Sequence, residues 1–223
     1  MAQLDDQTAD RAASERGDAS RVVGFSDAFF AIIITLLVIE IRRPDAAHGE
    51  LGSALLAAWP SYAAFALAFV YVGVIWLNHH GLFRLIESVD TRLNWINLLI
   101  LGTAALMPFP TGVLAEAFQS GNIADQRAAV VLYGVVAGLM SAAWVPIFPY
   151  LERQRAKLAP TVPSGYFYAQ RSRPWIGVFA YVVAILGGWL INPWLAILIF
   201  VLMVIYHAWT SEGVSHRNRT ERA

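Results

Sequence analysis

The 223-residue chain contains no cysteine. That excludes disulfides, thiolate metal sites and cysteine nucleophiles, and it leaves the redox compartment undetermined. Charge is scarce as well. Asp, Glu, Lys and Arg make up 14% of the residues against 57% hydrophobic, and the mean hydropathy is +0.53. A water-soluble domain carries about 25% charged residues, so this scarcity excludes that class and points to a polytopic membrane protein. The first 20 residues, MAQLDDQTADRAASERGDAS, lack the apolar core and cleavage site of a signal peptide. They read as an unstructured cytosolic tail. No internal repeat is evident, so one six-helix unit is the expected architecture.

The apolar residues are organised around RVVGFSDAFFAIIITLLVIEIRR, from Arg21 to Arg43. Arg21 to Arg42 spans roughly 33 Å as a helix at ~1.5 Å per residue, which matches a hydrocarbon core of about 30 Å. Three polar residues, Ser26, Asp27 and Thr35, lie inside this run. At about 100° per residue, Ile32, Leu36 and Ile39 form one narrow stripe with Thr35 beside them. Asp27 falls about 140° from that stripe and Ser26 about 120° from it on the other side. The helix is therefore expected to have an aliphatic, hydroxyl-bearing face and a second face that sets polar groups against neighbouring helices.

Five further spans follow: about Ala54–His80, Leu93–Phe118, Ala128–Phe148, Trp175–Ile191 and Pro193–Thr210. Pro108 and Pro110 predict a kink or break near Met107 in the third span. Residues 1–20 and 211–223 are read as cytosolic tails flanking a transmembrane domain over 21–210. With the N-terminus inside, thirteen of the 16 Lys and Arg residues fall on the cytosolic side, and only Arg42, Arg43 and Arg127 fall outside. That asymmetry predicts that both termini are cytosolic.

Counting depth from the cytosolic arginines places Ser26, Asp27, Asn78, His79, His80 and Asn97 in one layer, roughly 6–9 Å below the surface. The plain reading is interhelical glue between the first three spans. A proton relay or ion site is the sharper one, because histidine titrates near neutrality. A metal site is disfavoured, since adjacent His79 and His80 point about 100° apart rather than sharing the i, i+4 face that lets two rings hold one ion. A Ser26–His79–Asp27 triad is disfavoured too: Ser26 and Asp27 are neighbours pointing to different sides, and nothing resembles an oxyanion site. The chain is not read as an enzyme, and neither a cofactor nor a nucleic-acid partner is expected.

The residues Arg21, Phe25, Ser26 and Asp27, with A-I-x-I-T-L-L-V following, resemble the first helix of the bacterial branch of the endosomal–lysosomal transmembrane potassium channel family. Trp76 to His80, the D-x-x-x-N of Asp90 and Asn94, and the M-P-F-P-T of Met107 to Thr111 resemble that family as well. The likeness covers about residues 21–111. It implies an all-α membrane protein with six transmembrane helices per subunit, whose first helix lines the central pore of a homotetramer. It also implies a potassium-selective channel of a bacterial inner membrane, with K+ as the permeant ion. The family's constriction falls on Ile32, Leu36 and Ile39, with Thr35 contributing to selectivity. Arg21, Phe25, Ser26, Asp27, Trp76, Asn78, His79, His80 and Asn97 would form a structural polar network. No T-V-G-Y-G filter is present, so selectivity would arise at the aliphatic ring and Thr35 rather than at a carbonyl ladder. The rival class is a proton-coupled secondary transporter using the layer of Asp27, His79 and His80. A non-conducting membrane scaffold is the third.

Overall fold

The computed structural model describes residues 2–211, with side chains from residue 19 onward. Among the described residues there are ten α-helices: α1 (Ala2–Leu36), α2 (Leu51–Ala57), α3 (Trp59–Phe83), α4 (Thr91–Ala105), α5 (Pro108–Ser120), α6 (Ile123–Ala143), α7 (Ile147–Arg153), α8 (Tyr166–Gln170), α9 (Arg173–Leu190) and α10 (Pro193–Trp209). An isolated antiparallel bridge joins Ile86 to Leu158. The molecule is all-helical over this range, without strands.

Five stretches are long and apolar enough to cross a membrane: Ala19–Glu40, Trp59–Phe83, Thr91–Ser120, Ile123–Arg153 and Tyr166–Leu190. Helix α10 is apolar but has 17 residues, about 26 Å of rise, slightly short of the hydrocarbon core. Local chemistry sets the ends of these helices. The third expected span is broken between Ala105 and Pro108, because Pro108 and Pro110 lack the N–H groups that would continue it. Asn122 and Asn192 cap α6 and α10 by accepting from Ala124 N at 2.8 Å and Trp194 N at 2.9 Å. Gly121 turns the chain between α5 and α6 with φ of 73°, a conformation that favours glycine.

Two features depart from the sequence reading. Residues 2–20, expected to be unstructured, continue α1 as helix. The segment is rich in alanine and has no proline, which allows the transmembrane helix to propagate backwards once it is nucleated. At the other end α1 tightens into a 3-10 turn over Leu37–Glu40. Each residue there turns about 120°, so Ile39 eclipses Leu36 and stays on the predicted stripe.

Helices α6, α9, α10, α3 and α5 form the body of the bundle, while α1 packs on α3 and α4 at its edge. Close approach needs small residues. A Cβ at Gly188 would stand 2.8 Å from the Ala196 Cβ and 2.9 Å from the Val130 Cγ2, so glycine lets α9 seat against α10 and α6.

Candidate functional site

Helix α1 presents two faces of opposite character. Phe30, Ile33 and Leu37 are 0%, 2% and 0% exposed and join the core with Tyr71, Ile75 and Leu101. Ile32, Leu36 and Ile39 are 57%, 43% and 68% exposed. Thr35 lies on the same exposed side and donates its Oγ1 hydrogen to the Ile32 carbonyl at 2.8 Å. The structure therefore brings the four stripe residues together on one uncovered face. Ile33 and Leu37, off the stripe, carry the packing.

Ser26 and Asp27 point to two sides of α1 and build two separate networks. On the buried side the His79 Nε2 is 2.7 Å from Asn97 Oδ1, Asn97 Nδ2 donates to Ser26 Oγ at 2.9 Å, and Ser26 Oγ donates to the Val22 carbonyl at 2.9 Å. The directions are consistent when His79 carries its proton on Nε2, the nitrogen facing the Asn97 carbonyl oxygen. Its Nδ1 is buried without a partner, and the ring stacks on Phe83 with centroids 4.1 Å apart. This chain ties α1, α3 and α4 at one depth.

On the other side Trp76 Nε1 donates to Asp27 Oδ1 at 2.9 Å, and His80 Nδ1 lies 3.2 and 3.1 Å from the two Asp27 oxygens. The Trp76 and His80 rings, four residues apart on α3, pack with centroids 5.7 Å apart. Residues i and i+4 share a helix face, so both reach the same carboxylate. Asp27 is thus held by two donors from a single neighbouring helix.

The single layer expected from depth counting is therefore two clusters, and Asn78 belongs to neither. It lines a cavity with Ile75, Ser141 and Arg173 instead. The physical reason is rotational. Asn78 shares the depth of His79 but lies about 100° round the helix from it. Arg21, Phe25, Asn94 and Asn97 line a cleft of about 540 Å³ with Val89 and Asp90 at the same end of α1. Phe25 is exposed and sits 6.0 Å from Phe29, ring to ring.

A third polar knot was not singled out from the sequence. Asp90 caps α4 by accepting from Leu93 N at 2.8 Å, accepts from the Tyr150 hydroxyl at 2.7 Å, and pairs with Lys157 at 3.5 Å. Partial burial alone would raise the Asp90 carboxyl. The Leu93 N–H, the Tyr150 hydroxyl and Lys157 outweigh it and hold the group below its ordinary 3.8. An Asp before an apolar helical run is a capping signal, but nothing in the sequence pairs Asp90 with Tyr150, 60 residues away.

With this geometry in place, the similarities to known proteins become informative. The family model for the endosomal/lysosomal potassium channel TMEM175 matches residues 21–108. A potassium channel of Streptomyces collinus is 34% identical over 201 residues, covering 90% of this chain and 96% of that relative. The chain belongs to the TMEM175 family. A potassium channel of Chamaesiphon minutus is 44% identical over 107 residues, 47% of this chain and 53% of its own length. The crystal structure of a lysosomal potassium-selective channel TMEM175 homologue from Chamaesiphon minutus superposes with a TM-score of 0.74 at 31% identity. It covers 88% of this chain and 99% of that one. The family match thus runs from α1 through α4 and includes the three helices that the two polar clusters join, while the fold likeness extends over nearly the whole of the matched chain.

Proposed function

We propose that this protein is a passive, potassium-selective channel whose pore is lined by four copies of helix α1. The observation that carries the reading is the uncovered stripe of Ile32, Thr35, Leu36 and Ile39, opposite the buried Phe30, Ile33 and Leu37 of the same helix. One subunit cannot enclose a path with it, whereas a cyclic assembly turns the same four positions into successive rings. Aliphatic rings at Ile32, Leu36 and Ile39 would gate by dewetting, and the Thr35 ring would replace part of the hydration shell of K+. The relatives named as potassium channels support the choice of ion.

Six spans with cytosolic termini in a bacterial inner membrane complete the proposal, with α10 as the sixth. The thirteen-to-three split of basic residues supports that orientation. In this account the two clusters around Asn97 and Asp27 hold α1 in register with α3 and α4. Both sit away from the exposed stripe, which weighs against the transporter reading, where substrate and coupling ions would have to reach Asp27 and His79.

The test is electrical. Purified protein in a planar bilayer should give unitary current steps with a reversal potential that follows the potassium gradient under mixed K+ and Na+. Slow saturable flux without unitary steps would overturn the channel reading.

A further inference from the structure

A second cavity, to which α1 contributes no residue, opens among α3, α6, α9 and α10. Four helix ends meet at it: Asn78 near the C-terminal end of α3, Trp144 just past that of α6, Arg173 opening α9 and His207 in the last turn of α10. Its volume is about 60 Å³, room for several waters or one phosphate-sized group, since a single water needs roughly 10–15 Å³.

The lining is mostly apolar and contains neither Asp nor Glu; Asn78, Trp144, Arg173 and His207 supply its nitrogen-bearing groups along with Gln170. Trp144 is 8% exposed, and its Nε1–H, which can only donate, has no partner. His207 Nε2 is also buried and without a partner. Arg173 gives one N–H to the Thr210 carbonyl and has no carboxylate partner among the described residues. It stands at the first position of the 18-residue α9, whose N-cap Ser172 makes no side-chain capping bond. A buried indole N–H left without an acceptor is costly, so a ligand oxygen placed there is favoured.

The surroundings of the cavity indicate where that ligand comes from. Tyr168, Trp175 and Trp209 stand 57%, 59% and 76% exposed near the same end of the bundle, and Arg171 lies 3.7 Å over the Tyr168 ring. Exposed aromatics beside basic residues at helix ends mark the depth of lipid headgroups. We propose that the cavity lined by Arg173, Trp144 and His207 binds a phosphate group, delivered as the headgroup of an anionic phospholipid. The proposal does not depend on which face of α1 lines the pore.

The test uses the full-length detergent-purified protein. Its melting temperature is followed in mixed micelles with phosphatidylglycerol, with phosphatidylcholine, and with inorganic phosphate alone. Native mass spectra taken in parallel should show one phospholipid retained per subunit. Phosphatidylglycerol should stabilise the wild type in a saturable way. Arg173→Gln should weaken that half-saturation about tenfold or more, the loss of a charge-assisted hydrogen bond. Trp144→Phe keeps the ring, removes only the N–H, and should weaken it by a smaller factor; it keeps the test available if Arg173→Gln does not fold. An equal, Arg173-dependent response to inorganic phosphate would support the phosphate site and overturn its lipid source. Stabilisation that both variants retain in full, or equal stabilisation by phosphatidylcholine, would overturn the site.

Discussion

Asn97 is the residue on which the buried cluster turns, because its one amide serves both Ser26 and His79. Ser26 and His79 are each 0% exposed; Asn97→Ala strips the buried His79 Nε2 of its partner, at about 1–3 kcal/mol, and takes one of two hydrogen bonds from Ser26, which keeps the Val22 carbonyl. Asp27→Asn should be milder, on the order of 1–3 kcal/mol in all, since Asp27 and His80 each keep about a third of their side-chain surface exposed. Melting of the purified variants should rank Asn97→Ala below Asp27→Asn and both below wild type; the reverse order would contradict the two-cluster description. Depth counting from Arg21, Arg84 and Arg92 put Ser26, Asp27, Asn78, His79, His80 and Asn97 in one layer. It could not separate the clusters, because depth along an axis carries no information about azimuth between helices. Asn78 was misplaced for that reason. Trp76 entered only through its place in a family pattern, although an indole four residues before His80 is a natural second donor to the same carboxylate.

At the scale of elements, α1 divides its work between two faces, and each face has its own expected response. Leu37→Ala removes a fully buried side chain and should destabilise by about 2–5 kcal/mol. Ile32→Ser, on the 57% exposed stripe, should leave melting nearly unchanged and raise unitary conductance by wetting the ring. Thr35→Ala should conduct with a reduced preference for K+ over Na+, read from reversal potentials. The stripe was legible because helical periodicity needs only the sequence. The 3-10 turn at Leu37–Glu40 and the helical continuation through residues 2–20 were not, since both depend on how a helix ends or propagates and apolar spacing is silent on that. Helix α4 depends on Asp90 at its cap. The folded-state carboxyl titrates below its ordinary value, so its contribution is present above 3.8 and is lost as pH falls through the depressed value. The melting difference between wild type and Asp90→Asn should accordingly be flat from about pH 5 to 8 and shrink below about pH 4. A difference that grows on acidification would contradict the ion pair with Lys157.

At the scale of the molecule, one 24.6 kDa subunit leaves the apolar stripe of α1 uncovered, and the proposed cyclic assembly would cover it. The detergent-corrected mass should be about four times the subunit; a monomer or dimer that still conducts would require another pore. The absence of cysteine, which first excluded thiol chemistry, makes the central claim directly measurable, because each introduced thiol is the only one in the chain. Single substitutions Ile32→Cys, Thr35→Cys, Leu36→Cys and Ile39→Cys, with Ile33→Cys and Leu37→Cys as controls, can be exposed to a charged, membrane-impermeant thiol reagent while current is recorded. The account predicts that current is modified at 32, 35, 36 and 39 and untouched at 33 and 37. Modification at 33 and 37 with none on the stripe would show that the pore runs elsewhere.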